Sequence, residues 1–306
     1  MKLVSLITIN LNQNAVTEDL LDSLIAKNKY PNIEIIVVDN ASTINPVPQW
    51  ETKYPGILFI RSEKNLGFTG GNNLGITYAK GDYLFVINND TEVTETLIER
   101  LVATLDEHPE IGVISPKINY FDQQDVLQYT GYTAMNYYTA RNQCIGQFEK
   151  DKGQYDYLTG KTGYAHGAAM LVRREAMEKA GVLSDNFFIY YEELDWCERI
   201  KKAGYEVWVN MQALLYHKES MTVGKQSAFK EYYMNRNRIL FNRKHSPRFA
   251  FVIFTIFFTT VIIPKTLLTY IRKKQYHFIP VFRNAIWWNL TNKITSSEAN
   301  FPPRFS

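Results

Sequence analysis

Tyr83-Leu84-Phe85-Val86-Ile87-Asn88-Asn89-Asp90 is the stretch on which the fold turns. Five consecutive apolar residues that run directly into two amides and a carboxylate describe a strand buried on both faces, with a polar carboxyl end. Working outward, the same pattern recurs. Leu3–Ile9 ends at Asn10, Ile33–Val38 ends at Asp39 and Asn40, and Ile57–Ile60 is a shorter run of the same kind. Helical patterns lie between these runs. Glu18–Ala26 carries Leu20, Leu21, Leu24 and Ile25 on one face, and Gly67–Ala79 is glycine-rich at its start and helical beyond. Alternation of this kind predicts a parallel sheet covered by helices, with ligands bound beyond the carboxyl ends of the strands.

Further along, Thr94 is expected to cap a helix running to about Glu107, with Glu95 in its first turn, and Ile111–Ile118 reads as a strand. Residues 122–163 lack a clear period and are expected to form a loop or short strands over the site. Ala168–Val172 then reads as a strand, Arg174–Ala180 as a helix, and Glu193–Ala203 as a helix stopped by Gly204. Two strands are expected at Tyr205–Val209 and Ala213–Tyr216.

A chain of 306 residues with 45% hydrophobic and 21% charged residues is globular and excludes wholesale disorder. Its two cysteines, Cys144 and Cys197, are too few for a disulfide framework or a zinc knuckle, which points to a reducing, cytosolic setting. Leu3–Ile9 is too short for a secretory leader and lacks a cleavage site, so it reads as a strand. The net charge of +3 conceals an asymmetry: residues 229–306 carry +11 and residues 1–228 carry −8. A domain boundary is therefore expected between 1–228 and 229–306.

In the second part, Glu231–Lys244 is a basic helix, and Phe249–Ile271 is an apolar segment of 23 residues with Lys265 as its one charge and Pro264 as an interruption. Arg243, Lys244 and Arg248 flank it on one side and Arg272, Lys273 and Lys274 on the other, with Trp287 and Trp288 beyond. Such a segment is barely long enough to span, and with a kink; the basic residues at both ends fit better with a helix or helical hairpin lying in the interface of one leaflet. Buried core packing and dimerisation are the alternatives. Because the cations flank an apolar run rather than alternate with exposed rings, nucleic acid is not the expected partner.

Individually, the polar strand ends admit ordinary structural readings. Asp39 suits a turn, Asn65–Gly75 suits a tight entry into a helix, and Asn88-Asn89-Asp90 is a turn in most proteins. The loop's glycines match neither the dinucleotide fingerprint nor a P-loop. Chemically, though, Asp39 can accept from a base or a ribose, the loop admits close approach of a phosphate, and Asp90 can hold a hard divalent ion. Glu192, Glu193 and Asp195 crowd three carboxylates among aromatic residues, a setting that raises a carboxyl pKa toward that of a useful general base. The same acids also complement a helix N-terminus.

Together and in this order, these motifs resemble the family 2 glycosyltransferases of GT-A fold, nearest the bacterial rhamnosyltransferase-like branch, over roughly residues 3–245. The resemblance implies an α/β fold with a mixed sheet flanked by helices. It implies nucleotide-sugar contacts at Thr8, Asn10, Asp39, Asn65, Gly71, Asn72 and Asn89. It puts Asn88-Asn89-Asp90 at the D-x-D motif, Asp90 and His217 on Mg²⁺ or Mn²⁺, and Glu193 at the catalytic base, with Glu192 and Asp195 as neighbouring candidates. Arg236-Asn237-Arg238 matches the R-N-R segment before the membrane-associated tail. Two positions depart from the family pattern: Asn88 replaces the first Asp of D-x-D, and Glu192-Glu193 replaces the usual E-D.

The implied activity is inverting transfer of a sugar, rhamnose foremost, from a nucleoside-diphosphate donor to a lipid-linked or polysaccharide acceptor at the inner face of the membrane. A homo-oligomer is compatible with this reading. A nucleotidyltransferase would want a basic phosphate-gripping loop near Leu3–Asn14, which the chain lacks, whereas an inactive membrane-tethered sugar-binding protein is compatible with Asn88.

Overall fold

The fold is that of a computed structural model, described here for residues 1–218 and 227–297. It opens with β1 (Val4–Asn10), α1 (Asn14–Lys27), β2 (Ile33–Asp39), α2 (Val47–Lys53), β3 (Leu58–Arg61), α3 (Gly67–Tyr78) and β4 (Tyr83–Ile87). β1 pairs in parallel with β2 and β4, and β2 with β3, so this half is the helix-covered parallel sheet expected from the alternation. All five residues of β4 are buried, as a continuous apolar run requires. α3 sits close on the sheet because Gly75 faces it: a Cβ there would stand 2.5 Å from the Ile7 side chain.

Next come β5 (Thr91–Val93), α4 (Leu97–Glu107), β6 (Ile111–Tyr120), β7 (Leu127–Tyr129), β8 (Thr159–Lys161), β9 (Ala169–Arg173), α5 (Arg174–Ala180), α6 (Glu192–Lys202) and β10 (Glu206–His217). β9 inserts antiparallel between β4 and β6, and β10 runs parallel to β6. The resulting order is β3-β2-β1-β4-β9-β6-β10-β5, a mixed sheet flanked by helices. The unpatterned 122–163 region holds β7, β8 and isolated bridges, in line with short strands.

Two local expectations fail. Thr94 does not cap α4: its hydroxyl donates to the Leu214 carbonyl at 2.7 Å, and the helix starts after Thr96. The two strands expected around 205–216 are one, β10, because a register shift between Asn210 and Leu214, opposite Pro116 and Lys117, absorbs the polar interruption.

The last part begins with α7 (Ala228–His245), capped by Ser227, whose hydroxyl accepts from the Lys230 N–H at 3.1 Å. α8 (Arg248–Phe257), a π-helical turn (Phe258–Ile262) and α9 (Ile263–Arg272) follow as one continuous helix of 25 residues, and α10 (Phe278–Thr291) returns against α7. The π turn ends just before Pro264, whose missing N–H and ring disrupt α-helical bonding to the preceding turn. With a mean hydropathy of 2.0 and little of its surface covered, the Arg248–Arg272 helix is long and apolar enough to cross a membrane by length and composition.

The tryptophan pair divides. Trp287 is 62% exposed, whereas Trp288 is buried with its ring 3.9 Å from the Arg236 guanidinium, so only Trp287 is free to meet headgroups.

Candidate active site

The antiparallel pairing of Thr91 with His217 brings the end of β10 beside the turn that follows β4. Asp90 Oδ1 therefore lies 3.1 Å from His217 Nε2, both side chains being buried. On the other side of the ring, Nδ1 stands 2.8 Å from the Gln128 side-chain oxygen. An amide oxygen only accepts, so Gln128 keeps the proton on Nδ1 and leaves Nε2 as the ligating nitrogen. Asn88 Oδ1 is buried with no hydrogen-bond partner. A carboxylate and an orphaned amide oxygen on one turn, with an imidazole brought beside them by β10, fit Mn²⁺ or Mg²⁺, which take oxygen ligands and leave positions for phosphate and water. Among the described residues there is no cluster of three or more His, Cys, Asp and Glu side chains, so the Asn88 oxygen matters to that fit.

A cavity of about 620 Å³ opens beyond the carboxyl ends of β1, β2 and β4, where an open α/β sheet binds ligands. Four residues expected from the sequence line it: Asn65, Asn89, Asp90 and His217. Asn40 shapes its edge, accepting from the Leu66 N–H at 2.9 Å and donating to the Gly67 carbonyl at 3.0 Å. Gly67 has φ +72°, and a Cβ there would stand 2.5 Å from Phe188, so this glycine is needed both for its backbone and for the close approach. Phe188 in turn accepts the Phe68 N–H at 2.9 Å, which locks the glycine-rich loop to the segment before α6.

The other expected nucleotide contacts stand behind this wall. Asp39 is fully buried and held by Arg61 at 2.5 Å and Asn10 at 2.9 Å. Asn10 is itself saturated by Asn14, Ser42 and Thr17. Thr8 and Asn72 are buried, and Gly71 packs against Ile9. The sequence shows which strand ends are polar but not which side chains are already spent on one another.

The three clustered acids separate clearly. Asp195 is fully buried and bridges Arg199, Lys244 and His245 at 2.8, 2.8 and 2.7 Å, and these partners hold its carboxyl well below the usual range. Burial pushes Glu192 well up, and the neighbouring Glu193 charge pushes it further. Burial also raises Glu193, but backbone N–H groups at the start of α6 restrain the rise to about 7. Each of the two glutamates has one carboxyl oxygen that is buried without a partner.

The turn that delivers Glu193 is strained, with φ +68° at Tyr190 and +73° at Tyr191. Asn237 on α7 secures it by donating to the Ile189 and Tyr190 carbonyls at 2.8 and 2.7 Å. Arg236, fully buried, donates to the Asn186 carbonyl at 2.7 Å.

Several residues of the site escaped the sequence reading, His166, Gly167 and Lys230 among them. The neutral ring of His166, driven down to about 3 by burial, meets His217 edge-on at 6.1 Å. Its neighbour Gly167 lies against the Glu193 side chain, where a Cβ would stand 3.7 Å from the Glu193 carboxyl carbon. Lys230, at the start of α7, brings a cation to the cavity wall. A lone His after an aperiodic segment and a Lys in a basic helix carry no local signal, because each acquires meaning only through contacts distant in sequence.

A mixed sheet whose parallel half ends in a metal-compatible turn and a cleft is the GT-A architecture. It aligns over 95% of this chain, and 88% of the other, with a mannosyltransferase from Pyrobaculum calidifontis solved in complex with GDP-Man and Mn2+, at a TM-score of 0.58 and 14% identity. The chain belongs to glycosyl transferase family 2, whose profile matches residues 5–181. Its relatives include the low-salt glycan biosynthesis hexosyltransferase of Haloferax volcanii, 28% identical over 70% of each chain. They also include the N-acetylglucosaminyl-diphospho-decaprenol L-rhamnosyltransferase of Mycobacterium tuberculosis, 23% identical over 67% of this chain and 73% of that one. The chain is thus a glycosyltransferase with rhamnosyltransferase-like relatives.

Proposed function

We propose that the chain transfers a sugar, rhamnose foremost, with inversion, from a nucleoside-diphosphate donor to a hydroxyl of a lipid-linked or polysaccharide acceptor at the inner face of the membrane. The observation that carries this reading is the position of Glu193. It is a carboxylate tuned to about pH 7 and set against Gly167, whose neighbour His166 meets the His217 ring edge-on.

The donor's diphosphate lies in the cleft near Asp90, His217 and Lys230, and Asn65 and Asn89 meet its nucleoside side. Asp39, Asn10, Thr8, Gly71 and Asn72 brace the floor and loop beneath it. Asp90, His217 and Asn88 would hold a Mg²⁺ or Mn²⁺, which would supply neutralising charge for the leaving diphosphate. Glu193 accepts the proton of the acceptor hydroxyl as its oxygen bonds to the anomeric carbon and the bond from that carbon to the diphosphate oxygen breaks. Residues 1–228 carry the chemistry and residues 229–306 carry membrane attachment, with α7 as the join.

The test is a panel of dTDP-rhamnose, UDP-glucose, UDP-N-acetylglucosamine and GDP-mannose, each with Mn²⁺ and a polyprenyl-diphosphate-linked sugar. Transfer from one donor, abolished by chelator, is expected. Release of pyrophosphate instead of nucleoside diphosphate, or consumption of no donor at all, would contradict the reading.

A further inference from the structure

A second, smaller cavity of about 270 Å³ lies outside the donor cleft, lined by Arg141, Asn142, Tyr191 and Arg238 together with Ala140, Met234 and Asn235. Arg141 projects from the 122–163 region and Arg238 from α7, so two distant segments converge to place two guanidinium groups on one hollow. Among the described residues neither has a carboxylate partner. The nearest acid on α7, Glu231, is engaged by Asn235 at 2.6 Å and by Tyr270. Arg238 donates one Nη to the Thr139 carbonyl at 2.5 Å, while its Nε is buried without a partner. Asn142 Nδ2 is likewise buried and unpartnered. Buried N–H donors are almost always satisfied, and like charges are not brought together without compensation. Two cations and two orphaned donors around one hollow describe a site for a multidentate oxyanion.

Its surroundings indicate which oxyanion. Tyr191 lies between this hollow and the reaction centre: its phenol, raised to about 12 mainly by burial, feels Arg238, Glu193 and Arg141. On the other side, the Arg238 guanidinium lies 5.9 Å from the Phe258 ring, in the long apolar helix. The order in space is apolar helix, cation pair, Tyr191, general base.

We propose that Arg141, Asn142 and Arg238 form a site for the phosphate groups of a lipid-linked acceptor, holding them so that the attached sugar reaches Glu193. This rests on the acceptor reading above. The donor's phosphates belong in the other cavity, beside Asp90 and Lys230, so the two anions have separate sites.

The test titrates full-length protein in detergent with farnesyl diphosphate and with inorganic pyrophosphate, both in EDTA so that metal-dependent donor binding is silent. Arg141→Gln is compared with Lys152→Gln, an exposed charge control, after thermal melts confirm folding. Farnesyl diphosphate binding should weaken at least tenfold in Arg141→Gln, pyrophosphate binding should weaken in parallel, and Lys152→Gln should match the wild type. Unchanged binding in Arg141→Gln, or no binding by the wild type, would overturn the proposal. So would loss of binding to phosphatidylglycerol vesicles with farnesyl diphosphate binding intact, which would mark a headgroup site instead. A separate titration of dTDP and UDP with Mn²⁺ tests the underlying reading. Nucleotide binding without farnesyl diphosphate binding would remove this site alone, whereas Arg141-dependent farnesyl diphosphate binding without nucleotide binding would keep the anion site and remove the donor reading.

Discussion

Asn237 Nδ2 lies 2.7 Å from the carbonyl oxygen of Tyr190, so a buried amide on α7 fixes the backbone turn that delivers Glu193. Left-handed backbone at two successive tyrosines costs about 1–3 kcal/mol each and persists only where its surroundings enforce it. Asn237→Ala should lower kcat about tenfold or more with donor KM nearly unchanged, since a small misplacement of the base affects chemistry more than binding. Asn237→Asp should not rescue, because a carboxylate cannot donate to the carbonyls. Steady-state kinetics on both variants check this, and a change in KM alone would place Asn237 outside the turn's control.

Asp90 and Asn88 share a turn but differ in charge. Asp90→Ala should weaken Mn²⁺-dependent nucleotide binding more than Asn88→Ala, because a hard cation gains more from a carboxylate than from an amide oxygen. Calorimetry with nucleoside diphosphate at fixed Mn²⁺ measures both. Equal affinity in the wild type with and without chelator would remove the metal from the account.

Asp195 predicts a stability effect rather than a catalytic one. Its carboxyl is held below the ordinary value by His245, Arg199 and Lys244. This stabilisation is therefore present above the unfolded aspartate's pKa and is lost as pH falls through the acid range. Breaking a buried ionic cluster costs about 3–5 kcal/mol, so Asp195→Asn should lower Tm markedly at neutral pH and flatten the acid limb of the stability curve. Melts from pH 3 to 7 test it.

The two adjacent tryptophans should separate membrane binding from folding. Trp287→Ala removes an exposed ring and should weaken liposome binding without altering Tm. Trp288→Ala empties the site over Arg236 and should cost about 3–5 kcal/mol of stability. Flotation with anionic liposomes and thermal melts read the two effects independently.

Most of the sheet is legible because long apolar runs with polar ends dictate buried strands, as in Tyr83–Ile87. In the first half of the chain, what escaped was too short to show a period. The seven-residue α2 is anchored mainly by Trp50, and β5 is three residues held by pairing with β10 and by contacts to α1. At the site, the resemblance supplied the Asp90–His217 pair, which the structure brings within hydrogen-bonding distance. Nothing in the sequence indicates that Asp39 is spent on Arg61, that Gln128 orients His217, or that Asn237 props the turn before Glu193. These are pairings across 22, 89 and 47 residues, visible only once the chain is folded.

The most direct measurement is the pH–rate profile of transfer for the wild type, Glu192→Gln and Glu193→Gln. Glu193 has a pKa raised to about 7, and the base must be deprotonated to act, so wild-type kcat should rise with pH and level off above neutrality. Burial and the charge on Glu193 both raise the Glu192 carboxyl and favour its neutral form, which glutamine mimics, so Glu192→Gln should retain most of the activity. Glu193→Gln should lose about 10²-fold or more in kcat, with donor affinity intact and the rising limb gone. Near-wild-type turnover in Glu193→Gln, with the rising limb preserved, would contradict the assignment of the base and with it the account of the site.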